Sequence, residues 1–137
     1  MTKNIGFMQG RFSPMEDGKI QSFPWKYWQN EFALASKHNF DLIEWTIDQH
    51  KIMQNPLMTD DGRYQIKNLS NKYKVNIPSV TGDCFMQSPF WKFFGNEKKS
   101  RINDLLKLIF ACSDLGIRMI VIPLVDGGSI ENKDQLK

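Results

Sequence analysis

Four short apolar runs separated by stretches of helical periodicity place this 137-residue chain in the α/β class. Such alternation demands a parallel sheet with right-handed crossovers. The fourth run, at 117–124, is almost unbroken in apolar residues, which predicts a strand buried on both faces. Two architectures carry this pattern: an open doubly wound sheet, or a (β/α)8 TIM barrel, which typically takes ~250 residues. No GxGxxG or GxxxxGK[ST] loop follows any of the runs, which counts against a nucleotide-binding open sheet. The expectation is therefore an α/β chain of parallel β/α units, a single partial domain over 1–137 that forms the first half, about four strands, of a (β/α)8 barrel and is truncated after the fourth strand.

The first strand is predicted at 4–10, where Ile5, Phe7 and Met8 are apolar and Gly6 and Gly10 permit close backbone approach. A polar loop with Pro14 and Gly18 follows. Pro24 suits the opening turn of a helix, and Trp28, Phe32 and Ala35 recur at helical spacing, so a helix is predicted over 25–37 with Asn39 ending it. The second strand is 40–46. Thr59 reads as an N-cap, with Asp60 and Asp61 in the first turn, where the helix dipole favours negative charge. Ile66, Leu69 and Tyr73 mark the buried face of that second helix. The third strand is 75–81, and Pro78 inside it predicts a bulge or an early strand end, because proline cannot donate to the ladder. Ile102, Leu105, Leu106, Ile109 and Ser113 fall on one stripe of a third helix, closed by Gly116. Residues 132–137 are expected to begin a fourth.

A hydrophobic fraction of 41% and a charged fraction of 24% are those of an ordinary globular domain, which sets aside a disordered chain. The net charge of +3 is scattered, and its densest cluster, Lys98-Lys99-Ser100-Arg101, reads as a solvated helix face, so no nucleic-acid partner is expected. No apolar run approaches the ~18 residues that span a membrane, so no membrane partner is expected either. Met1-Thr2-Lys3-Asn4 enters the first strand without the regions of a signal peptide. Cys84 and Cys112 form no CxxC pair, which fits reduced thiols in the cytoplasm.

Three segments carry a resemblance. Ile5-Gly6-Phe7-Met8-Gln9-Gly10-Arg11, Asp41-Leu42-Ile43-Glu44-Trp45-Thr46 and Val121-Ile122-Pro123-Leu124-Val125-Asp126 are similar to the N-terminal half of the sugar phosphate isomerase/epimerase family, whose members are xylose isomerase-like TIM barrels. Endonuclease IV is a more distant relative. The resemblance implies a divalent metal (Mn, Mg, Co or Zn) held by carboxylates and a histidine from the later strands, so the ligands are not present in this chain. The endonuclease branch also uses histidines after strands three and four. Here those strands end in Thr81-Gly82-Asp83 and Val125-Asp126-Gly127, without histidine, which disfavours that branch.

In a parallel barrel, function gathers where strands end. That selects Gln9 and Arg11, Glu44 and Trp45, Asp83 and Cys84, and Asp126 with Ser129. Glu44 follows the apolar pair Leu42-Ile43, where an unpaired carboxylate is costly to bury; it either orients sugar hydroxyls or makes an ion pair with a basic residue such as Arg11. Arg11 can fork two hydrogen bonds onto a phosphate or serve as that structural partner. Asp83 and Asp126 sit beside glycines, where capping a loop competes with touching substrate. His50 lies in a functional-side loop but reads as solvated, His38 as a helix-end charge, and Cys84 as an unactivated thiol. The aromatic stretch Phe85, Phe90, Trp91, Phe93 and Phe94 reads as packing, or in part as a lid over a small polar ligand.

The function implied is metal-dependent isomerisation or epimerisation of a sugar or sugar phosphate by the whole barrel, this chain supplying substrate-binding Arg11, Glu44, Trp45, Asp83 and Asp126. No catalytic residue is assigned to this half. A non-catalytic half-barrel and an endonuclease IV-like phosphodiesterase or polyol dehydratase are the alternatives. Exposed barrel edges predict self-association.

Overall fold

Four parallel strands joined through helices meet the α/β expectation. The structure, a computed structural model, describes residues 4–19 and 22–137. The expected entry of Met1, Thr2 and Lys3 into the first strand lies outside them, as does the part of the first polar loop at 20–21. The strands are β1 (Gly6–Met8), β2 (Leu42–Thr46), β3 (Asn76–Thr81) and β4 (Met119–Val121), and the helices α1 (Trp28–Lys37), α2 (Asp60–Tyr73), the short α3 (Asp83–Gln87) and α4 (Gly95–Leu115). The sheet order is β1-β2-β3-β4, all parallel, so neighbours in sequence are neighbours in the sheet and the order never reverses.

Period-two alternation sorts the strand side chains. Phe7, Ile43, Trp45, Val80 and Ile120 face the helices and pack against Phe32, Ala35, Ile66, Leu108 and Cys112. The other face carries Met8, Glu44, Ser79 and Met119 in one row and Thr46, Thr81 and Val121 in the next. One irregularity sets this sorting. Leu42 pairs with Asn76, but Glu44 pairs with Ser79, so β3 holds one extra residue in the Ile77-Pro78 step. The bulge expected from Pro78 is there.

Local chemistry fixes the helix ends. Thr59 Oγ1 accepts the Gly62 N–H at 3.1 Å, and Asp60 and Asp61 occupy the first turn of α2. That turn sits so close on the preceding 3-10 turn, Pro56–Met58, that a Cβ on Gly62 would lie 2.1 Å from the Pro56 carbonyl oxygen. Asn39 and Gly116 adopt the left-handed conformation after α1 and α4. Among the described residues, no helix is long and apolar enough to cross a membrane.

Three expectations change. The stripe predicted for the third helix is only partly the packed one: Leu105 packs against the core, but in α4 it is Leu108, Ala111 and Cys112 that are buried, while Leu106, Ile109 and Phe110 are exposed. The helix carries two apolar stripes, and only packing decides between them. The fourth strand is three residues long rather than eight, and it is not covered on both faces: Met119 is 56% exposed and Val121 44%. Among the described residues it pairs with β3 alone, and its Ile120 side meets the helices. Residues 133–136 form a 3-10 turn, Lys133–Leu136, capped by Asn132, in place of the start of an α-helix.

Candidate functional site

The residues with unspent polar chemistry gather on the sheet face away from the helices. Glu44 stands at its centre. Its two oxygens accept hydrogen bonds from Ser79 Oγ at 2.7 Å and Thr81 Oγ1 at 2.5 Å, so β3 holds the carboxylate that β2 presents. Two hydroxyl donors leave other lone pairs of the carboxylate for a ligand. A hollow of about 290 Å3 opens beside it, lined by Gly6, Met8, Leu42, Pro78 and Ser79. Close packing explains the glycine: a Cβ on Gly6 would lie 2.7 Å from Leu42 Cβ.

Gln9 follows the last residue of β1 and hydrogen-bonds to Glu44 in the middle of β2. Its backbone N–H donates to the Glu44 carbonyl at 2.9 Å, and its Oε1 accepts the Thr46 N–H at 3.1 Å. Gln9 and Thr46 are both buried, yet Gln9 Nε2 and Thr46 Oγ1 have no hydrogen-bond partner. Buried polar atoms are nearly always paired, so each of these two open groups marks a place for an ordered water or a polar guest.

A second carboxylate shapes the loop above β1. Glu31, fully buried on α1, accepts the Gly10 N–H at 2.9 and 3.0 Å, the Phe12 N–H at 3.2 Å and the Ser13 hydroxyl at 2.9 Å. Burial pushes its pKa up against the pull of those hydrogen bonds. Glu31 thus clamps the backbone on both sides of Arg11. It was not singled out from the sequence, although a carboxylate between Trp28, Phe32 and Ala35 on a buried helix face is a readable signal of a buried polar role.

The other expected site residues divide. Arg11 is exposed in the clamped loop. Asp83 is buried at the first turn of α3, and Asp126 is exposed in the 3-10 turn Asp126–Gly128 with a φ of 49°. Trp45 does not join Glu44: it is fully buried on the helix-facing side, its rings against Phe23 and Trp28 and its Nε1–H on Asn55 Oδ1 at 3.0 Å. Strand alternation puts adjacent residues on opposite faces, so Glu44 and Trp45 cannot share a site. Cys84 is buried and its thiol is pushed up to about 12, first by desolvation, which leaves no thiolate to attack. His38 stacks on Phe12 with ring centroids 5.5 Å apart. Exposed His50 lines a separate hollow of about 260 Å3 with Asp48, Trp25 and Lys51. Of the aromatic stretch, Phe85, Phe90 and Trp91 belong to the core and Phe94 is open to solvent.

The sequence pointed to Glu44 and Gln9 but not to Ser79 and Thr81. Hydroxyls are common in strands, and only the pairing of β2 with β3 brings these two to the carboxylate. Among the described residues, no three His, Cys, Asp or Glu side chains come together as a cage for a metal ion. The residues of this chain do not by themselves fit the divalent metal that the resemblance implies. What they offer is an acceptor held by two hydroxyls on the sheet face, and an open amide donor just past β1. The chain matches no family model and no curated protein.

Proposed function

We propose that this chain forms the first four β/α units of a (β/α)8 barrel and supplies the sugar-binding wall of an isomerase or epimerase acting on a sugar or sugar phosphate. The sequential parallel order favours a barrel, because a doubly wound sheet reverses its order at a switch point. The observation that carries the functional reading is Glu44, a carboxylate fixed by two hydroxyls on the sheet face that would line such a barrel. A carbohydrate is a dense array of hydroxyl donors and acceptors. Glu44 would accept from its hydroxyls, and the Gln9 amide, which lacks an acceptor, would donate to a hydroxyl or carbonyl oxygen. Arg11, in the loop that Glu31 clamps, would meet a phosphate. Isomerisation and epimerisation move a proton on a carbon next to a carbonyl, so the sugar must be held in one orientation while the proton moves. Binding and orientation are the roles of this half.

Titrating the chain with a panel of aldoses and ketoses, free and phosphorylated, tests this by the NMR shifts of Gln9, Glu44 and Thr81. The expected result is saturable binding that Glu44→Gln weakens about tenfold, the scale of one charge-assisted hydrogen bond. The unfolding midpoint should change little, because glutamine keeps an oxygen for one of the two hydroxyls. Absence of saturation for every sugar, or equal binding by the variant, would overturn the reading.

A further inference from the structure

A hollow of about 410 Å3 opens on the helix side of the sheet, between the C-terminal halves of α2 and α4 and beneath the first residues of β3. Its volume lies within the ~300–1,000 Å3 of ordinary small-molecule sites. Ile66, Ile77 and Leu115 give it an apolar floor, and Lys67 and Arg118 stand at its rim. These two cations are not equally engaged. Lys67 Nζ lies 3.4 Å from Asp114, whose other oxygen is taken by Arg63 Nε at 2.9 Å. Arg118 uses its backbone N–H on the Pro78 carbonyl at 3.2 Å, and among the described residues its guanidinium makes no hydrogen bond or ion pair. The end of α4 would ordinarily repel an anion through its free carbonyls. Here the Gly116 and Ile117 N–H groups cover the Ser113 and Cys112 carbonyls at 3.2 and 2.9 Å, which weakens that repulsion.

We infer that this hollow is a second binding site, for a small anion with an apolar body, such as an aromatic or short aliphatic carboxylate. The body lies on Ile66, Ile77 and Leu115, and the charge sits between Lys67 and Arg118. The site does not rest on the sugar-binding reading: it lies on the helix side, where Ile77 packs against the core, and Glu44 is not among its lining residues. A guest there touches α2, β3 and the turn into β4 at once, so binding also holds those elements together and raises the unfolding temperature by mass action.

Benzoate and its neutral analogue benzamide test the assignment. In a titration followed by backbone amide NMR, benzoate should give saturating shifts at Asn76, Gly116 and Arg118, with a Kd of about 1–10 mM for a ligand of this size. Benzamide should bind about fivefold more weakly or worse, and Arg118→Gln, at an exposed position, should weaken benzoate by a similar factor. Glu44→Gln should leave benzoate binding unchanged, so loss of sugar binding and loss of this site can be told apart. No saturation by about 50 mM, equal binding of benzamide, or equal binding by a folded Arg118→Gln variant would overturn the proposal.

Discussion

Glu31 and Glu44 are carboxylates of contrasting setting. Glu31 is sealed by α1 and the first loop and is held mostly by backbone N–H groups; Glu44 is half-buried and held by two hydroxyls. Because burial raises the Glu31 pKa, its protonated form is favoured by folding. Its contribution to stability is therefore fully present below the unfolded value near 4.5 and is lost as pH rises through the higher folded value. The wild type should gain stability relative to Glu31→Gln as pH falls from neutral toward 5, and denaturant melts of both proteins across that range will reveal the slope; a difference independent of pH would show that Glu31 does not titrate this way. Asp114 has the opposite sign. Its hydrogen bond from Arg63 lowers its pKa, so what it adds is present above 3.8 and lost as pH falls through the lower folded value. At this scale the sequence exposes a carboxylate in an apolar setting, as with Glu44 after Leu42-Ile43. It cannot reveal which hydroxyls or N–H groups arrive to hold it from 18 to 37 residues away.

Helices and strands were legible where their signals are local. The Thr59 cap, the Gly116 stop and the bulge at Pro78 depend on a few adjacent residues, and each is found where expected. The facing of α4 depends on what surrounds it. Its sequence offers one apolar stripe through Leu106 and Ile109 and another through Leu108 and Cys112, and the hydrophobic pattern alone does not choose. The structure makes the choice measurable. Leu108→Ala should cost about 2–5 kcal/mol in denaturant unfolding, whereas Leu106→Ala, at a position 58% exposed, should stay within about 0.5 kcal/mol. Equal costs would mean that the helix is rotated from the orientation described. At the start of α2, Gly62→Ala forces a methyl group against the Pro56 carbonyl and should destabilise by about 1–3 kcal/mol or more, although alanine is the better helix former in isolation. An unchanged midpoint would place that turn farther away.

Across the whole molecule, the fold class and strand sequence were readable because β/α alternation is written along the chain. The cover on each strand was not, because an apolar run does not state whether a neighbour is present. Among the described residues β1 and β4 each pair on one side only, and Met119, Val121 and Leu124 meet solvent near the β4 edge. Unpaired strand edges with apolar flanks recruit further strands. This chain should therefore self-associate, and light scattering at micromolar concentration should give a mass above 16.0 kDa, with Val121→Lys shifting it toward the monomer; a monomer throughout would show that the edges are adequately protected. The extra residue in the Ile77-Pro78 step has a further consequence. It reverses the parity of everything after it in β3. Were both residues of that step paired straight through, Ser79 and Thr81 would turn toward the helices and Glu44 would lose both hydroxyls, whereas deleting one of the two would leave Ser79 opposite Glu44. The bulge that absorbs the extra residue therefore decides whether this sheet presents a wall of hydroxyls or a wall of grease.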